Sequence, residues 1–410
     1  MNNKNYILGG GITAASFCYH SKKNNNIIFE KEDNLNGRIK SIPLSNSAIE
    51  VGAQFFCRED YNVYNLIKEL KLGNELVKIN LDNFTILHNN QMLKLKHGNS
   101  NSFSEIENKE LIKFISFLKQ NTIDIFNKPD QKIISMNFEE WYRKEIGSNT
   151  DWFINALVRA ITFTNPFNLS ALYGLLVCST FFEDCFSLRG GLENLNKKLL
   201  SISKPKILTK HEVKKIKIRN NQVESLIVNG KAIQVDKKDF VISTVPSKIL
   251  SKLLPESNLS DYLRKIEYGK CGVTVLKTKK NLLNHGSGIL STKSKGISII
   301  IDESAYTGMN FKKGYITILT PYINPKDDIF DISLKEAKDI MPELENNIEE
   351  KRFYKWEYGL PIGSPKIFEL QRKILENDIE NLLICGDYIG MPSLDACIES
   401  SKMAAKFIDQ

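Results

Sequence analysis

The stretch YILGGGITAAS, Tyr6 to Ser16, constrains the fold more than any other part of this sequence. A short apolar run, three consecutive glycines and a small-residue segment follow one another directly. Tyr6 to Leu8 reads as a buried strand, and Ile12 to about Lys22 as a helix with Ala14, Ala15 and Cys18 in its first two turns. The glycines therefore occupy a strand-to-helix turn, in which Gly9, Gly11 and Ala14 spell G-x-G-x-x-A and Gly10 is a free position. Each position has its own physical requirement, with a tight turn at Gly9, close approach of backbone to a pyrophosphate at Gly11, and close helix-to-strand packing at Ala14. The helix start adds unpaired N–H groups that suit an anion.

NNNIIFEK then supplies a second apolar strand, Ile27 to Phe29, ending in Glu30. The spacing from Gly11 is that of a carboxylate accepting both ribose hydroxyls of an adenosine. An acid there repels a 2′-phosphate, so NADP is disfavoured, whereas NAD and FAD both suit this N-terminal unit.

The 410 residues exceed the roughly 250–300 at which one core stops growing, so two domains are expected. Apolar residues at 42% and charged residues at 25% exclude a disordered or collagenous chain. The longest apolar run, Ala171 to Phe182, falls short of the ~18 residues of a membrane span, and no charged leader runs into an apolar signal core. A soluble, cytoplasmic protein is the expectation. Seven scattered cysteines without a C-x-x-C pair, and five histidines without ligand spacing, point to reduced thiols and no metal. The net charge of +8 is spread along the chain without a compact basic block, which argues for a solvated surface and against nucleic acid.

After Glu30 comes KEDNLNGRIKS, where Asn36-Gly37-Arg38 makes a glycine-arginine turn. With IEVGAQFF (Ile49 to Phe56), LRGGLENLNKKLL (Leu188 to Leu200) and LLICGDYIGMPSLDACIESSKMAAKFI (Leu382 to Ile408), the chain resembles the flavin-dependent amine oxidase superfamily. That superfamily includes monoamine and polyamine oxidases, protoporphyrinogen oxidases, renalase-like enzymes and carotenoid desaturases. The resemblance runs over almost the whole chain and implies an α/β fold: a Rossmann-type FAD-binding domain (1–56, 190–254 and 364–410) interleaved with an α+β substrate domain (57–189 and 255–363).

It also implies the cofactor contacts. Gly9, Gly11, Ala14 and Glu30 hold the adenosine diphosphate, and Gly37 and Arg38 stand beside the pyrophosphate. Gly52, Ala53, Gln54 and Phe55 form a turn near the isoalloxazine, and the backbone of Val213 meets the adenine. Gly386 and Asp387 contact the ribityl and phosphate region, while the helix from Leu394 points its positive N-terminus at the N1/C2 edge, where reduced flavin is anionic. Asn36 replaces the first glycine of the family's G-G-R loop, which asparagine's tolerance of positive φ permits. Ala396, Cys397 and Ser401 replace the usual Gly, Ala and Gly. No cysteine near Gly363 matches the residue that attaches flavin in some relatives, so FAD is expected to be non-covalent.

The middle of the chain reads as three strands with turns at Asn220-Asn221 and Asn229-Gly230, followed by a parallel strand, Phe240 to Ser243. The first insertion looks helical in YNVYNLIKELK, NKELIKFISFLKQNTIDIF and DWFINALVRAITF, with Asn99 to Glu107 as an exposed loop. The second mixes strands (KCGVTVLKT, GISIIID, GYITILTPYI) with a helix near Ser333 to Ile348. GKCGVTVLK resembles the strand carrying a lysine bonded through water to flavin N5; Lys270 is the matching position and Lys277 a competitor. In YKWEYGLPIGSP, Trp356 or Tyr358 can form a wall for a flat or cationic substrate. Ser393 stands where amine oxidases often place an aromatic cage residue.

The expected function is hydride transfer from a C–N or C–C bond of a small or medium organic substrate to flavin N5, with reoxidation by oxygen or another electron acceptor. The alternatives are a desaturase or dehydrogenase acting on an apolar or tetrapyrrole-like substrate, for which the basic surface suits a peripheral membrane contact, and a non-catalytic flavin-binding protein.

Overall fold

The computed structural model describes residues 3–22, 25–45, 47–81, 83–94, 109–127, 129–283, 286–293 and 295–410, and of 120–127 the backbone only. The expected loop Asn99 to Glu107 lies outside the described residues. The chain forms two units, each built from separated segments: 1–75, 188–267 and 366–410 in the first, 76–187 and 268–365 in the second.

In the first unit the apolar runs form a five-stranded, wholly parallel sheet. Its strands are β1 (Asn5–Leu8), β2 (Asn26–Phe29), β3 (Lys206–Leu208), β4 (Phe240–Ser243) and β5 (Leu382–Ile384), in the order β3-β2-β1-β4-β5. Leu8 is in register with Phe29 on one side and with Ser243 on the other, and Ser243 in turn with Ile384. The segments beginning at Gly9, Glu30, Thr244 and Cys385 therefore all leave the same carboxyl edge. The chain departs from β1 to β2 on one side and reaches β4 on the other, so the crevice of an open parallel sheet lies above β1.

Helix α1 (Ile12–His20) packs against α2 (Glu193–Ser203) and α3 (Leu394–Asp409). Small residues make that approach possible: Ala14 and Ala15 are fully buried, and Ile7, Phe17, Ile28, Ile242, Ala405 and Ile408 complete the core around them. Ser16 and Ser401 meet across the helix pair, hydroxyl to hydroxyl, at 2.7 Å. A three-stranded antiparallel meander (Val213–Arg219, Gln222–Val228, Lys231–Gln234) adds to the unit. Asn220, Asn221, Asn229 and Gly230 all take positive φ, as two-residue hairpin turns demand.

The second unit has a seven-stranded sheet in the order Ile348–Pro361, Tyr268–Thr278, Gly314–Pro321, Ile299–Asp302, Gly288–Ser291, Phe84–His88, Gln91–Lys94. All its pairings are antiparallel except Gly288–Ser291 with Phe84–His88. The helix expected near Ser333 to Ile348 instead spans Ile329–Ile340. Met341 leaves helical geometry ahead of Pro342, a short 3₁₀ turn follows, and Ile348 already begins a strand. The apolar run from Ala171 is a nine-residue buried helix, Ala171–Ser179, started by the Ser170 hydroxyl accepting from the Tyr173 N–H. Among the described residues no helix is long and apolar enough to cross a membrane. Cys18, Cys178, Cys271, Cys385 and Cys397 are buried free thiols. Cys57 and Cys185 are disulfide-bonded, so the expectation of reduced thiols throughout fails at these two; a disulfide depends on the spatial approach of its cysteines, of which scattered positions in the sequence carry no sign.

Candidate cofactor site

Gly9 takes φ +96°, the left-handed turn that sends the chain from β1 into α1. Gly11 is the N-cap of α1; no side chain caps this end and no acid sits in the first turn, so its charge character is left for an anion. Glu30, 8% exposed at the end of β2, turns back on the glycines: Oε2 accepts from the Gly10 N–H at 2.8 Å and Oε1 from the Glu32 N–H at 2.9 Å. Each oxygen retains a lone pair for a further donor. The segment leading to Val213 docks here as well, the His211 N–H donating to the Glu30 carbonyl at 2.8 Å and the Lys210 N–H to that of Glu32 at 3.2 Å.

In the glycine-arginine turn the left-handed position is Gly37 (φ +55°) and not Asn36. The asparagine, although it tolerates positive φ, does not need it. Gly37 faces Gly11, and a Cβ on Gly37 would meet the Gly11 Cα at 3.2 Å. Arg38 reaches the other end of the chain: Nη1 and Nη2 donate to the two carboxylate oxygens of Asp387 at 2.5 and 2.9 Å, a bidentate pair with Asp387 5% and Arg38 27% exposed. The Arg38 carbonyl accepts from the Ala53 N–H at 2.9 Å, and Gly52 lies so close that a Cβ would stand 1.9 Å from that carbonyl oxygen. Gln54 donates to the Glu50 and Gly52 carbonyls, both at 3.1 Å, and Phe55 is half-buried next to it.

At the C-terminal element Gly386 takes φ +145° and donates its N–H to the Ser400 hydroxyl at 3.0 Å. Ser393 caps α3, its Oγ accepting from the Ala396 N–H at 3.2 Å, with Leu394 as the first helical residue. Asp395, in this first turn, carries no mark in the sequence that would single it out. Its carboxylate accepts from the Val63 N–H and the Asn62 amide, both at 2.8 Å, and so caps the helix Tyr61–Glu69 from outside. Asp60, the residue before that helix, accepts from the Cys57 N–H at 2.7 Å instead; burial, with Asp395 and Glu59 nearby, pushes its carboxyl up to about 7.

Lys270, Trp356 and Tyr358 lie in the second unit and are half-buried. Trp356 is in register with Cys271, the neighbour of Lys270, so the sheet puts the lysine and the tryptophan on opposite faces. A bulge between Trp356 and Leu360 re-aims Tyr358, whose ring meets that of Tyr268 edge-on at 5.4 Å. The Lys270 ammonium donates to the Ile323 carbonyl at 3.4 Å, and the competing Lys277 lies 3.9 Å from the Glu349 carboxylate.

The first unit thus offers what a dinucleotide requires: an uncapped helix start, two glycines whose backbones approach each other closely, a buried carboxylate with free lone pairs, and a charged fork within the same crevice edge. These residues fit FAD. A family model described as flavin containing amine oxidoreductase matches residues 11–408. The fold is similar along its whole length to a protoporphyrinogen oxidase candidate from Exiguobacterium (17% identity, TM-score 0.79, covering 100% of this chain and 99% of that one). It is also similar to putrescine oxidase bound to putrescine (12% identity, TM-score 0.75, 100% and 99%) and to cyclohexylamine oxidase from Brevibacterium oxydans (13%, 0.74, 100% and 99%). No curated protein sequence matches the chain. Matched by that family model over nearly all its length, the chain belongs to the flavin-containing amine oxidoreductase family and is an FAD-dependent oxidoreductase.

Proposed function

We propose that the first unit holds FAD without a covalent bond and that the chain carries out an amine-oxidase-type oxidation, taking hydride from a C–N or C–C bond of a small or medium organic substrate. The observation that carries this reading is the convergence of the uncapped α1 start, Glu30 and the Arg38–Asp387 pair at one edge of the parallel sheet. FAD, when bound, supplies the hydride acceptor at N5.

The protein's own part is binding, orientation and electrostatics. The start of α1 and Arg38 offset the pyrophosphate charge, and Glu30 accepts from ribose hydroxyls while keeping the Gly10 turn in place. Val213 meets the adenine through its backbone, Gly52 to Phe55 line the ring system, and Gly386, Asp387 and the start of α3 at Leu394 take the ribityl chain and the N1 edge. Burial pushes the Cys385 and Cys397 thiols up to about 12, so both stay protonated and unreactive at neutral pH, which supports a non-covalent flavin.

The proposed substrate domain is 57–189 and 255–363, with 1–56, 190–254 and 364–410 as the flavin domain. Lys270 orients water or assists reoxidation by oxygen, which yields peroxide; Trp356 or Tyr358 forms a wall of the substrate site. A second reading, a desaturase or dehydrogenase of apolar or tetrapyrrole-like substrates, gains from Ser393: its hydroxyl is engaged as the α3 cap, and no aromatic cage wall stands there.

Acid precipitation of purified protein tests the cofactor: FAD released to the supernatant is expected, while a colourless preparation or flavin retained in the pellet refutes the reading. Peroxide release on polyamines, set against porphyrinogen oxidation with an artificial acceptor, decides between the two reactions.

A further inference from the structure

Asn196 lies on α2 and is fully buried; it falls within the stretch Leu188 to Leu200, where nothing in the sequence marks it for a role. Its amide nitrogen stands 3.4 Å from the Gly10 carbonyl, 3.2 Å from the Leu35 carbonyl and 3.3 Å from Asn36 Oδ1. Two of these acceptors are backbone carbonyls, which cannot donate, so the orientation of the amide is fixed: nitrogen toward the loops, oxygen away. Oδ1 is buried without a hydrogen-bond partner. Such an acceptor is costly to leave bare and suits a donor that arrives with a ligand, a water or a hydroxyl.

The neighbouring contacts brace the same helix against the same turn. Glu193 Oε2 accepts from the Asn36 amide at 3.1 Å and the Ser41 N–H at 3.3 Å. Glu50 accepts from the Leu192 N–H and the Ser41 hydroxyl, both at 2.7 Å. Gly191, at φ +89°, comes so close to Ser41 that a Cβ would stand 2.4 Å from its Oγ. These carboxylates tie α2 to the Asn36–Ser41 segment. Asn196 ties it to the glycine turn as well.

We propose that Asn196 is a positioning residue for the dinucleotide: its amide clamps the Gly10 turn to the Leu35–Asn36 turn, so that Gly11 and Arg38 stand at one pyrophosphate. The inference rests on the FAD reading above and deepens it. Asn196→Asp keeps size and acceptor but turns an oxygen toward three oxygens; Asn196→Ala removes the amide without adding charge. Lys198→Ala, an exposed position on the same helix, is the control.

The test uses the purified holoenzyme. FAD dissociation is followed by flavin fluorescence after dilution, and the unfolding temperature of the FAD-saturated protein by circular dichroism. Both Asn196 variants are expected to lose FAD at least about tenfold faster than wild type, equivalent to about 1.4 kcal/mol. Flavin release should precede unfolding on heating, and excess FAD should restore the bound state. Dissociation within twofold of wild type, or flavin loss only in step with unfolding, overturns the proposal. So does failure of both variants to fold, because a residue that only positions loops is dispensable for folding. Wild-type protein without flavin overturns the cofactor reading together with this one, whereas wild type and variants that hold FAD equally well overturn this one alone.

Discussion

Gly11→Ala is expected to separate cofactor binding from folding. Gly11 sits at φ −78°, ψ −172°, extended backbone open to any L-residue. A Cβ there meets no heavy atom nearer than the Gly37 Cα at 3.9 Å, an ordinary contact. The steric cost in the flavin-free chain is therefore near zero. Alanine is a poorer N-cap than glycine, which costs stability, while loss of glycine's freedom in the unfolded chain returns about 0.4–1 kcal/mol. The net change in stability stays within about 1 kcal/mol, or a few degrees in Tm for a chain of this length.

The same methyl has a different effect once a phosphate is present. A phosphate oxygen accepting from an N–H of this turn lies about 2.9 Å from nitrogen, whereas a methyl group asks for about 3.5–4 Å. The phosphate is displaced on the order of 1 Å, and two charge-assisted N–H bonds weaken, each worth about 1.5–3 kcal/mol. An affinity loss of about 3 kcal/mol or more follows, at least two orders of magnitude in Kd. Fluorescence titration with FAD and a melting curve of the flavin-free protein read the two quantities separately. FAD binding within threefold of wild type refutes the placement of the pyrophosphate at Gly11. A large fall in Tm refutes the open space beside it.

Gly52→Ala should do the opposite, because its Cβ would lie 1.9 Å from the Arg38 carbonyl oxygen: a loss of about 3 kcal/mol or more in stability, read by denaturant titration, with little folded protein left to bind anything. Asp60 makes stability fall with rising pH. Its carboxyl is held near 7 in the fold against about 3.8 unfolded, so the native state binds the extra proton between these values and the penalty is complete above about pH 7, with a ceiling of about 4 kcal/mol. Asp60→Asn, which still accepts from the Cys57 N–H, should raise Tm at pH 8 and raise it by less than half as much at pH 5, where only part of the penalty has developed; an equal shift at both would contradict the assignment. In a double-mutant cycle of Arg38→Gln and Asp387→Asn on the flavin-free protein, the bidentate geometry and the burial of Asp387 predict a coupling of about 1.5–3 kcal/mol. Additivity within about 0.5 kcal/mol would show that the pair does not persist in solution.

The strand-turn-helix-strand from Asn5 to Phe29 is legible because every signal is local: apolar runs, glycines and small helix residues lie within one short window. The same holds for the meander, where asparagine and glycine pairs mark both turns. Long-range partnerships leave no such trace. Arg38 and Asp387 are 349 positions apart and nothing in either neighbourhood names the other. Asn196 sits in a helix pattern where an asparagine reads as solvated, and only the fold turns it inward. The face reached by Lys270 depends on strand register and on a bulge in the partner strand, neither of which a single strand encodes. The helix expected to run on to Ile348 fails at Pro342, a local signal overridden by the apolar pattern on either side of it.

Interleaving makes the cofactor unit depend on the last residues of the chain. α3 closes the core of α1 through Ala404, Ala405 and Ile408, the Ser401 hydroxyl reaches Ser16 across 385 positions, and Asp387 lies just upstream. The buried side chains of α3 include Ile398 and Ile408, each contributing about 2–3 kcal/mol on burial, besides four smaller apolar residues. Their sum is comparable to the roughly 5–15 kcal/mol by which a whole domain is stable. A chain ended at Ser393 should therefore leave α1 without its partner and lose cooperative unfolding of the first unit, although the glycine turn, Glu30 and Arg38 are all still present. Because these contacts close only after the second unit has been synthesised, FAD should fail to enter a nascent chain and bind only after release. FAD retained stoichiometrically by the truncated protein would mean that the N-terminal motif suffices for binding, and that the closing helix serves the chemistry at the flavin ring instead of the integrity of the site.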